Sequence, residues 1–328
     1  MHTPTAPQPE QGTLPRQLPG LAPVLSVHGL TKSYGPHTAV GDVSFDISKG
    51  QVVGLIGPNG AGKTTLMKAL LGLVKPSSGT IDLLGHRVGS SGWGTALHRV
   101  GSMIEAPALY GWMSARDNLT LQAMSVGVAN SDRRVEEVLE LIGLDHRADD
   151  DARTFSLGMK QRLGIGVSVI GEPEFVILDE PANGLDPAGI IEIRNLLRRL
   201  PEFGTTVLVS SHQLAEVQQA CDDLVIMSAG RIVTTGSTAG VLAHHAERTF
   251  EIDVLTSEAG AALAALTTAG HVVELDGDRL ILRDAAEIDG RELNRTLLDA
   301  GVIASQLAER STSLEEVFLS ITTPGRES

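Results

Sequence analysis

The segment Gly57–Thr65 limits what this chain can fold into more than any other part of the sequence. Gly57–Thr64 matches the pattern G-x-x-x-x-G-K-[ST], between an apolar run typical of a buried strand, Gln51–Ile56, and a helical segment, Thr64–Leu73. This strand–loop–helix context is the one that the pattern requires. The glycines let backbone N–H groups wrap around phosphates, and the helix directs the positive end of its dipole at them. The sequence therefore predicts a phosphate-binding loop.

Individual residues of this loop have separate predicted roles. Lys63 supplies a positive charge between the outer two phosphates of a nucleotide, and the Thr64 hydroxyl suits Mg²⁺. The residues predicted to contact the nucleotide are Gly57, Pro58, Asn59, Gly60, Ala61, Gly62, Lys63, Thr64 and Thr65. The loop alone does not distinguish kinases, GTPases and many kinds of ATPase.

Two acidic residues, Asp179 and Glu180, directly follow the apolar run Phe175–Leu178. An acid at the carboxyl end of a buried strand lies at the same sheet edge as the phosphate loop. Asp179 is then predicted to hold Mg²⁺, and Glu180 to polarise the attacking water as a general base. Taken alone, the segment also fits two acids that merely end a strand.

A histidine follows a second apolar strand in the same manner. The strand at Thr206–Val209 leads through two serines to His212, which is placed to donate a hydrogen bond to the γ-phosphate. A single histidine after a strand is usually structural, so this role depends on the other motifs.

The segment Ser156–Arg162 predicts a second anion-binding surface. Ser156 is the expected N-cap of a helix, and Gly158 lies in its first turn. One chain would thus carry two phosphate-binding surfaces, and two copies facing head to tail would bury two nucleotides between them.

The order of predicted elements indicates an α/β fold with two domains. Strands alternate with helices, including Ile190–Leu200 and a helix capped by Ser131, which favours a largely parallel sheet covered on both faces. We predict a disordered Pro-rich arm at residues 1–23, the main domain at residues 24–243 and a small α+β appendage at residues 244–328.

The appendage has a β-α-β-β-α-β pattern, which is typical of a ferredoxin-like unit. Its predicted elements are, in order, Phe250–Leu255, Ala259–Leu266, Val272–Leu275, Leu280–Leu282, Arg291–Leu298 and Val302–Gln306, followed by a last helix at Leu314–Ile321.

Composition excludes several classes of function. The net charge of −14 and the aromatic content of 3% argue against a nucleic-acid partner, which favours basic surfaces and stacking rings. Cys221 is the single cysteine, so internal disulfides are excluded and a reducing, cytosolic setting is favoured. The sequence shows neither a signal peptide nor an apolar run long enough to cross a membrane.

In their order and spacing these motifs resemble the ABC transporter nucleotide-binding subunit, over about Val24–Gly236. The resemblance implies a P-loop NTPase ABC ATPase domain with a mixed sheet core and a helical subdomain, binding ATP and Mg²⁺. Gly57–Thr65 is similar to the Walker A loop, Val176–Glu180 to Walker B and His212 to the switch histidine.

The same resemblance implies three further roles. Tyr34 looks like the aromatic residue that stacks on adenine. Ser156 and Gly158 belong to the signature segment, and Asp186 to the D-loop, so these three residues would contact ATP bound to a second copy. Glu105 occupies the Q-loop position and would offer an oxygen to Mg²⁺.

Two departures from the family pattern narrow the resemblance. The signature reads Phe155-Ser156-Leu157-Gly158-Met159 where Leu-Ser-Gly-Gly-Gln is common, and Glu105 replaces the usual glutamine. Glutamate there, with the ending Ser313–Phe318, resembles exporters of bacitracin-like peptides and lantibiotics. That subgroup implies a separately encoded permease, a second copy of the chain in an ATP-dependent dimer, and a cytoplasmic position at the inner face of the membrane.

Two other classes of function stay open. A soluble ABC ATPase can act on ribosomes or DNA, although ribosome-acting relatives usually fuse two ATPase units and DNA-repair relatives insert long coiled coils. A regulatory or sensing complex can also use ATP turnover without moving a substrate.

Overall fold

A computed structural model describes residues 23–244, 249–282, 289–310 and 313–322 of the chain. Apart from Pro23, the predicted Pro-rich arm lies outside these residues. The chain divides into two compact units, with the boundary between Val241 and Leu242. Each unit is described by itself.

The first unit contains ten strands and most of the helices among the described residues. The strands are β1 (Leu25–Tyr34), β2 (His37–Ile47), β3 (Val52–Ile56), β4 (Ser78–Leu83), β5 (His86–Arg87), β6 (Val100–Met103), β7 (Phe175–Leu178), β8 (Thr206–Ser211), β9 (Asp223–Ser228) and β10 (Arg231–Ser237). The helices are α1 (Lys63–Leu70), α2 (Trp93–Leu97), α3 (Ala115–Ser125), α4 (Ser131–Leu141), α5 (Leu157–Val169), α6 (Pro187–Arg199) and α7 (Leu214–Ala220), and α8 (Thr238–His244) contains the boundary.

The larger sheet has the strand order β10-β9-β3-β8-β7-β6. Its strands are parallel except for β10, which pairs antiparallel with β9. Every residue of β3 and β7 is buried, as expected for strands covered on both faces. The predicted buried strands are confirmed, and β8 continues past its predicted end at Val209 to Ser211. This extension brings Ser210 to the edge where the predicted acids lie.

A second, antiparallel sheet was not predicted. It has the order β2-β1-β4-β5, and β1 pairs with both β2 and β4. Buried residues of α1, including Leu66, Met67 and Leu70, share one hydrophobic core with β1, β2, β3 and β4. This packing fixes α1, and with it the loop that precedes the helix.

Helix starts agree with the sequence at α5 and differ at two other helices. Ser156 is the N-cap of α5, which confirms that prediction. The prediction that Ser131 is a cap is wrong, because Asn130 holds the N-cap position in a left-handed conformation. Helix α6 begins before the predicted Ile190, since Asp186 caps it and a proline at the first helical position is well tolerated.

Helix α5 packs closely against β6 and the segment after it. A Cβ atom on Gly101 of β6 would lie 1.9 Å from the carbonyl oxygen of Ser168 in α5. A Cβ atom on Gly164 would lie 2.7 Å from both Met103 Sδ and Pro107 Cβ. Glycine at these two positions therefore permits direct contact between the helix and the strand.

The second unit is a ferredoxin-like fold. Its elements are β11 (Thr249–Asp253), α9 (Ala259–Thr268), β12 (Val273–Asp276), β13 (Arg279–Leu282), α10 (Gly290–Asp299), β14 (Gln306–Arg310) and α11 (Leu314–Thr322). The antiparallel strand order β12-β13-β11-β14 is that of a split β-α-β pair. The predicted element order is therefore confirmed for this unit.

The strand predicted at Val302–Gln306 is wrong. Helix α10 ends at Asp299 and is followed by Gly301, whose φ is 75°, and the Val302 N–H donates to Leu297 O at 2.9 Å. The Gly301 N–H donates to Leu298 O at 3.0 Å, which completes a Schellman motif. Val302 is buried as the apolar residue of this cap, so the strand starts later, at Gln306.

The described helices are all too short, or too polar, to cross a lipid bilayer.

Replacing Gly101 with alanine tests the contact between β6 and α5. We expect Gly101→Ala to lower the free energy of unfolding by about 1–3 kcal/mol, because the added methyl group meets a backbone oxygen. Gly94→Ala is the matched control: Gly94 lies in α2 with open space around it, and alanine there should change stability by at most about 1 kcal/mol, in the stabilising direction. Urea unfolding measures both; equal values for the two variants would contradict the close contact.

Candidate functional site

The loop between β3 and α1 has a shape that depends on glycine at two positions. Gly60 and Gly62 have φ angles of 82° and 101°, which L-residues with side chains rarely adopt. A Cβ atom on Gly62 would also lie 2.4 Å from the Ala39 carbonyl oxygen. Gly62 is the N-cap of α1 and gives it no side-chain cap, so N–H groups of the first turn stay available for an anion.

An open cleft of about 460 Å³ lies above this loop. Its lining residues come from four segments of the chain and are His37, Ala39, Pro58, Asn59, Gly60, Ala61, Gly62, Lys63, Thr64, Thr65, Glu180, Asn183 and His212. The fold thus brings the loop together with Glu180 and His212, as the sequence predicts. Gly57 forms the base of the loop, with its carbonyl bound to Lys63.

Lys63 is almost fully buried at the floor of the cleft, with 6% of its side chain exposed. Its Nζ donates to Gly57 O at 2.7 Å and lies 3.2 Å from Glu180 Oε1. A buried ammonium group needs such partners, because losing its hydration is costly. The arrangement presents one positive charge to whatever anion enters the cleft.

Asp179 and Thr64 meet beside Lys63. The Thr64 hydroxyl donates to Asp179 Oδ2 at 2.8 Å, and the Ser210 hydroxyl donates to Asp179 Oδ1 at 2.5 Å. Asp179 is buried, and its N–H donates to Met103 O at 2.8 Å. Adjacent hydroxyl and carboxylate oxygens are the donors that Mg²⁺ prefers, so Thr64 and Asp179 fit that ion.

Glu180 contacts two basic side chains. Besides Lys63, it contacts His212, whose Nδ1 lies 2.5 Å from Glu180 Oε2. The backbone of Glu180 has a φ of 51°, a strained conformation that costs about 1–3 kcal/mol in a residue with a side chain. Its N–H donates to the Ser210 hydroxyl at 2.9 Å, which helps to hold the strained residue in place.

Glu105, predicted to offer an oxygen to Mg²⁺, forms an ion pair with Lys68. Its Oε1 lies 2.6 Å from Lys68 Nζ. The hydrogen bond that Lys68 donates to Glu105 lowers the pKa of the Glu105 carboxyl and raises the pKa of the Lys68 ammonium group, so both groups stay charged at neutral pH. Glu105 also has a left-handed φ of 70°.

Tyr34 lies at the end of β1, outside the residues that line the cleft. About half of its surface is exposed, and Lys32 Nζ lies 4.7 Å from the centre of its ring. One face of the ring therefore carries a cation.

The predicted trans-acting residues lie on exposed helix starts away from the cleft of their own chain. Ser156 Oγ accepts from Met159 N at 3.3 Å, and Asp186 Oδ1 accepts from Gly189 N at 3.0 Å. The segments adjoin each other, since a Cβ atom on Gly184 would lie 3.3 Å from Leu157 Cδ2. Gly158, two residues after Ser156, is half-buried, and a Cβ atom on it would lie 3.8 Å from Leu185 Cδ2.

Sequence reasoning missed three residues of this site. Ser210 binds both predicted acids, Lys68 pairs with Glu105, and His37 lines the cleft. Ser210 directly follows the predicted strand Thr206–Val209, but a buried serine has no sequence pattern of its own. Lys68 lies four residues after Thr64 on the same helix face, which is the signal that could have identified it.

Known proteins resemble this chain in sequence and in fold. The family model described as ABC transporter matches residues 40–183. The bacitracin transport ATP-binding protein BcrA of Enterococcus faecalis is 38% identical over 301 residues, which is 90% of this chain and 95% of that protein. The lantibiotic transport ATP-binding protein SrtF of Streptococcus pyogenes is 43% identical over 211 residues, or 64% of this chain and 89% of that protein.

The fold also resembles that of a solved ABC transporter subunit. The structure of cbiO1 from Clostridium perfringens, part of the ABC transporter complex cbiONQ, matches with a TM-score of 0.63 and 30% identity. The match covers 67% of this chain and 91% of that one.

Removing the Ser210 hydroxyl tests its role as the support of both acids. We expect Ser210→Ala to lower the free energy of unfolding by about 1–3 kcal/mol, because it leaves a buried carboxylate oxygen and the Glu180 N–H without this partner. Ser125→Ala, on the exposed side of α3, is the control and should stay within about 0.5 kcal/mol of the unchanged chain. Denaturant unfolding measures the free energy of unfolding of both variants. If Ser210→Ala loses no more stability than Ser125→Ala, the Ser210 hydroxyl is dispensable.

Proposed function

This chain belongs to the ABC transporter family as an ATP-hydrolysing subunit, and from that premise we propose that it drives a separately encoded membrane permease that exports an antimicrobial peptide. The observation that carries the catalytic part is the joint position of Lys63, Glu180 and His212 around the cleft above the phosphate loop. The export part is supported by the similarity to BcrA and SrtF and by Glu105 at the Q-loop position.

The contacts around Glu180 suggest how the site turns over ATP. Lys63 and His212 are the donors closest to the loop, and both rest on the Glu180 carboxylate. An arriving γ-phosphate is a stronger acceptor for both donors, so it releases Glu180 to accept a proton from the attacking water. Lys63 and His212 then hold the negative charge that develops on the phosphate oxygens.

Mg²⁺ is part of the proposal because Thr64 and Asp179 fit it. When bound, the ion would neutralise charge on the outer phosphates. Ser210 holds the Asp179 carboxylate in its orientation through a hydrogen bond, which keeps one oxygen directed at Thr64.

A second copy of the chain completes the site in this proposal. Ser156 and Asp186 are exposed and Gly158 is half-buried, and all three lie at helix starts outside the cleft of their own chain, where ATP held by a partner could reach them. Uncapped N–H groups near such helix starts bind anions well. The ring of Tyr34 would stack on adenine through the face opposite Lys32.

The permease would dock on an aromatic surface beside Glu105. Tyr110 and Trp112 are 51% and 68% exposed and form an edge-to-face pair with ring centres 6.0 Å apart. Asn118 anchors the segment, since its amide accepts from Tyr110 N and donates to Tyr110 O. Exposed aromatic residues on a rigid segment are typical of an interface. Docking there would place the chain at the cytoplasmic face of the membrane.

Replacing Glu180 with glutamine tests the catalytic assignment. We expect Glu180→Gln to bind ATP but to lose at least about a hundred-fold in turnover, because an amide is not a general base. Without hydrolysis the ATP-bound dimer should accumulate. Gel filtration with ATP and Mg²⁺ measures the dimer, and phosphate release measures turnover; a variant that stays monomeric with ATP bound would argue against the shared site.

The aromatic pair tests coupling to the permease. We expect Trp112→Ala to keep the basal ATPase activity of the isolated chain, and to lose co-purification with the permease and resistance to bacitracin and lantibiotics in cells that express both. Phe203→Ala, which removes another exposed aromatic ring, should retain both. Resistance that survives Trp112→Ala would move the docking surface elsewhere. Co-sedimentation of the unchanged chain with ribosomes instead of membranes would replace the export proposal itself.

A further inference from the structure

Lys68 and Glu105 approach the metal-binding side of the cleft from two directions. Lys68 is four residues after Thr64 on α1, so the two side chains lie on one face of the helix, one turn apart. Glu105 follows β6, whose last residue accepts a hydrogen bond from the Asp179 N–H through Met103 O. The pair therefore lies next to the Thr64–Asp179 contact.

In the ion pair between Lys68 and Glu105, the glutamate has a strained backbone. Glu105 holds its carboxylate at 2.6 Å from Lys68 Nζ while its backbone stays in the left-handed region, at a φ of 70°. Both side chains keep solvent contact, with 33% of Lys68 and 68% of Glu105 exposed. The nearby Asp179 charge acts on Lys68 as well, so the ammonium group has two carboxylates within electrostatic range.

We propose that Lys68 is a positioning residue for Glu105, holding its carboxylate beside the nucleotide site and cancelling the negative charge that a glutamate adds there. A glutamine at residue 105 would need no such counter-charge. A free glutamate would repel the phosphates and attract cations. The Lys68–Glu105 pair has no net charge, so the total charge near the site is the same as with two neutral residues. This inference rests on the proposed nucleotide site.

Single replacements should then shift two affinities in opposite directions. Lys68→Met leaves Glu105 uncompensated, so the site becomes more negative: ATP without metal should bind more weakly and Mg²⁺ more tightly. Glu105→Gln leaves Lys68 uncompensated, so ATP without metal should bind more tightly and Mg²⁺ more weakly. Each shift should be about two- to five-fold, the range expected for a solvent-exposed pair.

The experiment is a double-replacement cycle on the full chain. Binding of a fluorescent ATP analogue is measured in EDTA, and then the Mg²⁺ concentration that gives half-maximal ATPase activity is measured. We expect the double variant Lys68→Met with Glu105→Gln to return to within two-fold of the unchanged chain in both measurements, and Lys68→Arg to behave like the unchanged chain. Arg87→Met and Asp82→Asn break an exposed pair between β4 and β5 and should change neither value.

The outcomes separate this inference from the function on which it rests. If both single variants weaken ATP binding in EDTA, or if the double variant is worse than either, Lys68 supports the fold rather than the charge balance and the inference is wrong. If the unchanged chain itself fails to bind the analogue with and without Mg²⁺, the proposed nucleotide site is wrong.

Discussion

The buried Asp179 carboxylate is the contact on which the architecture of the site depends. It accepts hydrogen bonds from Thr64 on α1 and from Ser210 on β8, while its N–H binds the end of β6. The side chain at the end of β7 thus ties α1 to β8, and the backbone N–H of the same residue adds a link to β6. A buried carboxylate is stable only when its oxygens are satisfied, so each of these partners is needed at its position.

The acidic residues beside this carboxylate contact basic side chains. Glu180 pairs with Lys63 and His212, and Glu105 pairs with Lys68. Two of the acids, Glu105 and Glu180, have left-handed backbones, a conformation found mainly where surrounding contacts enforce it. Strain of this kind concentrates at functional sites, which agrees with the roles proposed for both residues.

The sequence predicted those parts of the structure that are encoded locally. The loop at Gly57–Thr65, the buried strand before Asp179 and the cap at Ser156 each follow from a short pattern in which neighbouring residues determine the geometry. The antiparallel sheet of β2, β1, β4 and β5 was missed because the pairing of β1 with β4, which joins two local strand pairs, spans β3, the phosphate loop and α1. The strand prediction at Val302 was wrong because this apolar residue is part of the C-terminal cap of α10 and not of a strand.

Contacts between distant segments were also beyond the sequence. Lys68 and Glu105 lie on separate elements, and only folding shows that the glutamate meets a lysine. Ser210 is unremarkable in a run of strand residues, yet it binds Asp179 and the backbone of Glu180.

The glycines at the contact between α5 and β6 have a mechanical consequence. Gly164 brings the helix against the side chains of Met103 and Pro107, and Gly101 brings the strand against the backbone of Ser168, so the two elements are in direct contact at both places. Close-packed interiors are hard to compress and transmit displacement instead of absorbing it. A displacement of the segment after Glu105 would therefore be passed to α5, the helix that Ser156 caps.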